Sequence, residues 1–201
     1  MSTPGAVMFK KIIALVCISM LASPVFADSE RFTLDKSHTT VAFLVDHVGF
    51  AKTLGYFSSV SGSFNYDAES GVVSEVSITV ETKSVQSDNK ARDKHLRKSD
   101  FLDVKKFPEM VFTASSATLN DKGMADISGQ LTLLGETQPL TLQATLNKSE
   151  KYPFGHKKLT LGISARGSLL RSDYGMDYGV ANGLVGDKID LIIETEANKA
   201  K

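Results

Sequence analysis

The sequence predicts an all-β fold, an antiparallel sandwich or barrel of about eight strands with one or two short helices. After residue 27, apolar and polar residues alternate in about eight segments, and this period of two is typical of strands with one buried face. Clusters of Gly, Asp and Ser separate many of these segments by the few residues that a hairpin needs. Only residues 88–101 look like a capped helix.

The first long strand follows a turn that we predict at Asp35-Lys36-Ser37, after an alternation of Phe32 and Leu34. One face of this strand carries Val41, Phe43, Val45 and His47, and the other carries Thr40, Ala42, Leu44 and Asp46. A strand with an aromatic ring on one face and polar groups near both ends suits the wall of a cavity. It suits an ordinary core strand equally well, so the pattern leaves both open.

The middle of the chain continues the alternation. We predict a loop at Gly49–Gly55, a strand at Tyr56–Tyr66 and a turn at Asp67–Gly71. The next strand, Val72–Glu81, places four apolar residues on one face: Val72, Val76, Ile78 and Val80. The helix is predicted over Asp88–Phe101, with Ser87 or Asp88 as its N-cap, and it looks like a short surface helix that covers a face or mouth of the sheet.

The remaining strands are predicted where apolar residues alternate within residues 109–114, 127–133, 140–146, 159–165 and 189–193. A turn at residues 121–123 and a hairpin at residues 135–136 connect the first three of them. One longer loop holds Pro153, Gly155 and His156, and another, Arg171–Gly186, is rich in Gly, Asp and Tyr. Because the chain shows no internal repeat and no low-complexity linker, residues 28–201 are predicted to form one domain.

Residues 1–27 have the features of a cleaved signal peptide. Lys10 and Lys11 form a basic region, Ile12–Leu21 is apolar, and Ala27 ends a segment suited to a signal peptidase. The apolar run is too short to span a bilayer, which takes about 20 residues. We therefore predict export, cleavage after Ala27 and no transmembrane segment in the mature chain. Translation from Met8 would give a more compact signal peptide.

Composition narrows the classes of function. The only cysteine, Cys17, lies in the predicted signal peptide, so the mature chain has neither a disulfide framework nor a thiol nucleophile. The signal peptide also holds two of the 23 basic residues and none of the 23 acidic ones. The mature chain of 174 residues thus has a net charge of −2, which argues against a nucleic-acid partner.

The residue types that support metal or catalytic chemistry form no motif here. His38 and His47 are an odd number of residues apart on one strand, so they fall on opposite faces and cannot chelate an ion together. The sequence contains no Gly-x-Ser-x-Gly elbow and no phosphate-binding glycine loop after a strand. We expect no metal site, no cofactor and no catalytic residue. The cationic segment Lys90–Lys98 is either a solvated helix face or a site for an anionic head group.

Five groups of motifs, in order along nearly all of the mature chain, carry a resemblance to a known family. They are His38-Thr39-Thr40-Val41-Ala42-Phe43 with His47 and Gly49; Gly62-Ser63-Phe64; Arg92-Asp93-Lys94-His95-Leu96-Arg97 with Asp100-Phe101-Leu102-Asp103, Phe107-Pro108 and Phe112; Gly129-Gln130-Leu131-Thr132-Leu133-Leu134-Gly135; and Arg171-Ser172-Asp173-Tyr174-Gly175. On these motifs the chain resembles the YceI-like family of exported lipocalin-like proteins. It departs at Leu161-Gly162-Ile163, which lacks the aromatic residue that often follows this glycine.

The resemblance implies a long, lipocalin-like antiparallel barrel whose pore holds a polyisoprenoid, such as an isoprenoid quinone or a prenyl phosphate. It also implies a periplasmic location, and it leaves a homodimer open because some members look dimeric. A polyprenyl tail needs an enclosed apolar tube, because burial of its apolar surface contributes about 25 cal/mol per Å² to the free energy of binding. Small residues between the aromatic ones, such as Gly62, Gly129 and Ala144, leave room for that tube.

We therefore predict a binding or carrier protein for an isoprenoid lipid or a quinone-like amphiphile, and not an enzyme. The residues expected to contact the ligand are Val41, Phe43, Val45, His47, Phe64, Val76, Ile78, Phe101, Phe112, Leu131, Leu133 and Leu142. Arg92 and His95 are expected near its polar head group. The alternative is an enzyme or a stress-related sensor that acts on a small lipophilic molecule, with His and Asp side chains as its acid–base groups.

Overall fold

The computed structural model describes Met1 and residues 29–201, so the predicted signal peptide beyond Met1 and its cleavage site lie outside the described residues. The strands are β1 (Glu30–His47), β2 (Ala51–Phe57), β3 (Val60–Tyr66), β4 (Val72–Glu81), β5 (Val85–Gln86), β6 (Glu109–Thr118), β7 (Met124–Leu133), β8 (Glu136–Lys151), β9 (Leu159–Leu170) and β10 (Val185–Lys199). The described residues also form one α-helix, α1 (Lys90–Leu96), and 3₁₀ turns at Thr82–Ser84 and Arg171–Tyr174. None of the helices within residues 29–201 is long and apolar enough to span a membrane.

The ten strand segments close into an antiparallel barrel with eight strand positions. β1 pairs with β10 along most of its length and thereby closes the sheet. β2 and β3 are two parts of one strand position, because β2 pairs with the second half of β1 and β3 with its first residues. β4 and β5 form the next position in the same way, separated by the first 3₁₀ turn. The predicted all-β antiparallel fold of about eight strands is confirmed, and of the two architectures the barrel is correct.

The two ends of the barrel differ in their connections. At one end, here called the loop end, lie the connections 48–50, 82–108, 134–135 and 171–184. At the other, here called the terminal end, lie the connections 67–71, 119–123 and 152–158, together with the first residues of β1 and the last of β10. The loop end carries α1 and both 3₁₀ turns, so most of the irregular chain that is able to shape an opening is gathered there.

The predicted loop at Gly49–Gly55 is wrong, because the chain turns back at once and forms β2. Val48 (φ 55°) and Gly49 (φ 73°) both have left-handed backbone conformations. Two such residues in a row make the tight hairpin turn that matches the twist of the flanking strands. The Phe50 N–H closes this turn by donating to the His47 carbonyl at 3.1 Å.

One inward-facing residue of β4 was also predicted wrongly. Val73 is buried in the core, whereas Val72 is only partly buried. The pairing of β3 with β4 shifts register after Ser63, and Glu75 has a left-handed φ of 50°. This bulge exchanges the two faces at the start of the strand, as a single extra residue does in any sheet.

The helix α1 is shorter than the predicted Asp88–Phe101. Asp88 has a φ of 57°, which is incompatible with a helical position. Asn89 is therefore the N-cap, and its side-chain oxygen accepts a hydrogen bond from the Arg92 N–H at 3.0 Å. After Leu96 the chain turns sharply, and this brings Phe101 and Leu102 into the core.

The predicted turn at residues 35–37 is a bulge within β1. Residues 35–38 form an insertion opposite Glu196 of β10. Asp35 Oδ1 accepts hydrogen bonds from the Ser37 hydroxyl at 2.6 Å and from the Ser37 N–H at 2.9 Å. The Ser37 hydroxyl bond is the largest contribution that lowers the pKa of Asp35, from 3.8 to about 2, against the opposing effect of burial.

The substitution Asp35→Asn is expected to destabilise the protein at neutral pH and to make its stability less sensitive to acid. Because the folded-state pKa is lowered, the ionised carboxylate stabilises the fold above pH 3.8, and this contribution is lost as the pH falls through about 2. With allowance for solvent screening, it amounts to about 1–2 kcal/mol. Urea unfolding at neutral and strongly acidic pH measures it. An equal difference between variant and wild type at both pH values would contradict this role of Asp35.

Candidate functional site

The barrel encloses an apolar cavity with a volume of about 450 Å³, which is within the range of ligand-binding pockets. It extends from Leu34 and Tyr66 near the terminal end to His47 and Leu184 at the loop end. Its charged and imidazole side chains all belong to the loop end: Asp46, His47, Arg92, His95 and Arg171. The cavity is therefore an apolar tube with its charged and imidazole side chains at one end.

Bulky inner residues leave the tube open because they lie along its wall above glycines of the neighbouring strands. A Cβ added to Gly55 would lie 2.3 Å from the Phe43 ring, and one added to Gly129 would lie 2.6 Å from the Phe112 ring. Each ring thus occupies the space of a missing side chain and does not cross the lumen. Gly129, one of the small residues that the sequence placed between aromatic ones, serves this purpose directly.

The burial of the inward-facing side chains distinguishes an open cavity from a filled core. Several apolar residues that point into the barrel remain only partly buried: Phe43, Ile78, Ile127, Leu142, Leu146, Ile163, Leu169, Leu191 and Ile193. In a close-packed interior such side chains would touch one another and be fully buried. Of the two interpretations that the strand pattern left open, the structure supports the cavity.

The residues that the sequence predicted for ligand contact all border this cavity. This holds for the twelve residues of the predicted tail site and for the head-group residues Arg92 and His95. They come from β1, β3, β4, β6, β7 and β8, from α1 and from the segment that follows it. Their contact with a ligand stays a prediction.

The cavity opens at the loop end. Four of its lining residues are exposed to solvent, and all four lie there: His47, Arg92, Tyr178 and Leu184. Arg92 is fixed by hydrogen bonds that it donates to the Ser87 hydroxyl at 2.8 Å and to the Ser87 carbonyl at 2.6 Å. A cationic group thus has a defined position beside the opening.

An aromatic cluster lies next to Arg92. The His95 ring is 5.0 Å from the Phe101 ring and 5.1 Å from the Tyr178 ring, between centroids. His95 Nε2 lies 2.8 Å from a carboxylate oxygen of Asp100. The segment after α1 and the loop before β10 therefore meet at this cluster and together form part of the rim of the cavity.

Arg171 is the main lining residue that sequence reasoning missed. Its side chain is 1% exposed. It donates hydrogen bonds to four backbone carbonyls, those of Met176, Tyr178, Val185 and Gly186, at 2.6–2.9 Å. Burial lowers the pKa of its guanidinium, and the carboxylates of Asp187 and Asp177 oppose that effect. The Arg171–Gly175 motif was visible in the sequence, but a single arginine in a glycine-rich loop gives no sign of being buried.

Asp46 also differs from its prediction, which placed it on the face opposite to His47. Both residues border the cavity. The pairing of β1 with β10 shifts register between Val45 and His47, so strict alternation ends there. Other lining residues on β9 and β10, such as Leu161 and Ile193, belong to strands that were predicted but from which no site residue was named.

A second cluster of ionisable groups lies at the bulge of β1. Asp35, His38 and Glu196 have ligand atoms within 4.8 Å of one another. His38 Nδ1 lies 3.3 Å from Asp35 and 3.6 Å from Glu196, and Asn198 also donates to Asp35. Hydrogen bonds to Asp35 from the Ser37 hydroxyl and the Asn198 amide hold the Asp35 side of this cluster in place.

Comparison with known proteins agrees with the fold and the motifs. Residues 32–197 match the family model of the YceI-like domain. A UPF0312 protein of Shewanella baltica is 37% identical over 187 residues, which are 90% of this chain and 94% of that protein. The Campylobacter jejuni YCEI protein, known from a crystal structure, is 29% identical with a TM-score of 0.70, over 78% of this chain and 90% of that one.

A third comparison extends the likeness in fold. A polyisoprenoid binding domain from Saccharophagus degradans has a TM-score of 0.63 and 13% identity, over 84% of this chain and 98% of that one. At this identity the likeness concerns the fold alone. The family assignment rests instead on the domain match, which covers most of the chain, and on the Shewanella relative. This chain belongs to the YceI-like family.

Proposed function

We propose that the protein is a periplasmic carrier that holds a long-chain isoprenoid lipid, a quinone or a prenyl phosphate, in its barrel. The observation that carries this proposal is the cavity, an apolar tube whose charged and imidazole lining side chains lie at its open end. The likeness in fold to a polyisoprenoid binding domain supports the same class of ligand. The periplasmic location rests on the predicted signal peptide at residues 1–27.

The distribution of polar groups sets the orientation of the ligand. A tail that buries about 400 Å² of apolar surface gains about 10 kcal/mol before the cost of immobilising it. A polar head group placed deep in the tube would lose its hydration with few partners, at a cost of several kcal/mol. The tail therefore lies along β1 past Phe43, and the head group lies near Arg92 and His95.

The experiment that tests this function is a titration of the lipid-free protein with isoprenoid quinones and prenyl phosphates of increasing chain length. We expect binding that strengthens with chain length until the tube is full. The recovered lipid should be chemically unchanged, whereas a converted lipid would favour the enzyme alternative. Failure to bind either class at any chain length would exclude the proposed function.

The double substitution Arg92→Gln with His95→Gln is expected to weaken the binding of a prenyl phosphate more than that of a quinone with the same tail. Only the phosphate gains from a charge-assisted hydrogen bond, and its loss costs about 1.5–3 kcal/mol. Lys94→Gln is the matched control, because Lys94 lies on the same helix but does not line the cavity. Equal losses for both ligands would place the head group elsewhere.

A further inference from the structure

The loop end carries exposed apolar side chains, several of which do not line the cavity. Within the part of the chain that the structure describes, five of nine exposed large apolar side chains lie in the connections of this end or directly beside one: Val48, Phe50, Leu170, Tyr178 and Leu184. Phe50, at the tip of the β1–β2 hairpin, is 90% exposed. Exposed apolar groups that cluster in this way mark a contact surface.

Three of these residues belong to two neighbouring segments beside the opening. His47 of the hairpin pairs with Val185 at the start of β10. A Cβ added to Gly186 would lie only 2.9 Å from the Cβ of Asp46, so the two segments are in close contact. Val48 and Phe50 therefore lie near Leu184, which itself lines the cavity. We call Val48, Phe50 and Leu184 the apolar rim.

Positive charge is concentrated in the other large connection of the loop end. Residues 82–108 contain eight basic and four acidic residues, a net charge of +4 with histidine neutral. Lys90, Lys94 and Lys98 are exposed, and no carboxylate among the described residues lies within ion-pair distance of them. The 171–187 segment has one basic residue and three acidic ones, so the loop end is basic on the side of α1.

We propose that the loop end docks on a lipid membrane that contains anionic lipids. The apolar rim enters the region between head groups and acyl chains, and the basic 82–108 connection contacts lipid phosphates. A basic segment near a membrane gains about 1 kcal/mol per Lys or Arg, and inserted apolar side chains add to this. The purpose of docking rests on the proposed function, because an opening that faces the bilayer lets an isoprenoid enter without crossing water.

The test measures co-flotation of the purified protein with vesicles, either phosphatidylcholine alone or phosphatidylcholine mixed with phosphatidylglycerol. Binding to the mixed vesicles is expected, and Phe50→Ser should weaken it about tenfold or more. Phe154→Ser is the matched control, because Phe154 is 65% exposed at the terminal end, and it should not change binding. Lys94→Glu with Lys98→Glu should weaken binding to the mixed vesicles only.

Three outcomes would overturn docking: no flotation with either vesicle, equal effects of Phe50→Ser and Phe154→Ser, or a wild-type dimer that Phe50→Ser converts to a monomer in sedimentation velocity. The last would assign the rim to contact between two copies of the chain. A parallel titration with an isoprenoid, without vesicles, separates this inference from the proposed function. Intact isoprenoid binding with no docking overturns the docking alone, whereas a wild type that binds no isoprenoid overturns the function.

Discussion

Replacement of Ala144 by phenylalanine is expected to abolish tight binding of a long isoprenoid while leaving the barrel folded. Ala144 lines the cavity in the middle of β8 and pairs with Ala165 of β9, which also lines it. A ring at this position enters the open lumen, where it blocks the path of the tail. Each 100 Å² of apolar surface that the tail then fails to bury costs about 2.5 kcal/mol, or roughly sixtyfold in affinity.

The matched control is Gln143→Phe, which adds the same ring on the exposed face of the same strand. It should leave affinity unchanged, and both variants should unfold at temperatures close to that of the wild type. Isothermal titration with a long-chain quinone measures the difference. A variant at Ala144 that binds a long chain as tightly as the wild type would show that the tail does not pass through this part of the barrel.

Replacement of Arg171 by methionine is expected to cause the largest loss of stability among single substitutions at the loop end. The variant keeps most of the side-chain volume but leaves four backbone carbonyls of the 171–186 segment without their donor. Buried unpaired carbonyls cost about 1–3 kcal/mol each, with partial relief from water. We expect a loss of about 3–5 kcal/mol and a fall of about 10 °C or more in the unfolding temperature.

Arg166→Met is the control for this substitution, because Arg166 is an exposed arginine on β9 that pairs with Glu194. Exposed ion pairs contribute about 1 kcal/mol or less, so this variant should remain near wild-type stability. The stability of Arg171→Lys should also be lower than that of the wild type, because an ammonium group cannot reach four carbonyls in different directions. Similar losses for Arg166→Met and Arg171→Met would show that the carbonyl network contributes little.

The parts of the fold that follow from local alternation were predictable from the sequence. Val41, Phe43 and Val45 repeat every second residue, and this period alone assigns them to one face of β1. The same holds for Leu131 and Leu133 on β7. Bulges were not predictable, because the backbone shift at Glu75 depends on pairing with β3 and moves Val73 inward in place of Val72.

The openness of the cavity depends on contacts between strands that are distant in sequence. Phe112 leaves the lumen free because it lies over Gly129, and no local pattern pairs those two residues. Arg171 is a similar case, since its burial depends on carbonyls up to 15 residues away that converge only after the loop has closed. Motifs and periodicity thus locate the wall of the site, and tertiary contacts decide whether that wall encloses space.

Native mass spectrometry of the exported protein, purified without detergent, shows whether the barrel carries an isoprenoid lipid. We expect an added mass of at most one lipid per chain, which organic extraction identifies as an isoprenoid. The Ala144→Phe variant should lack this added mass. A protein without bound lipid, which also fails to take up quinones and prenyl phosphates that are offered to it, would contradict the claim that the barrel is a carrier for this class of ligand.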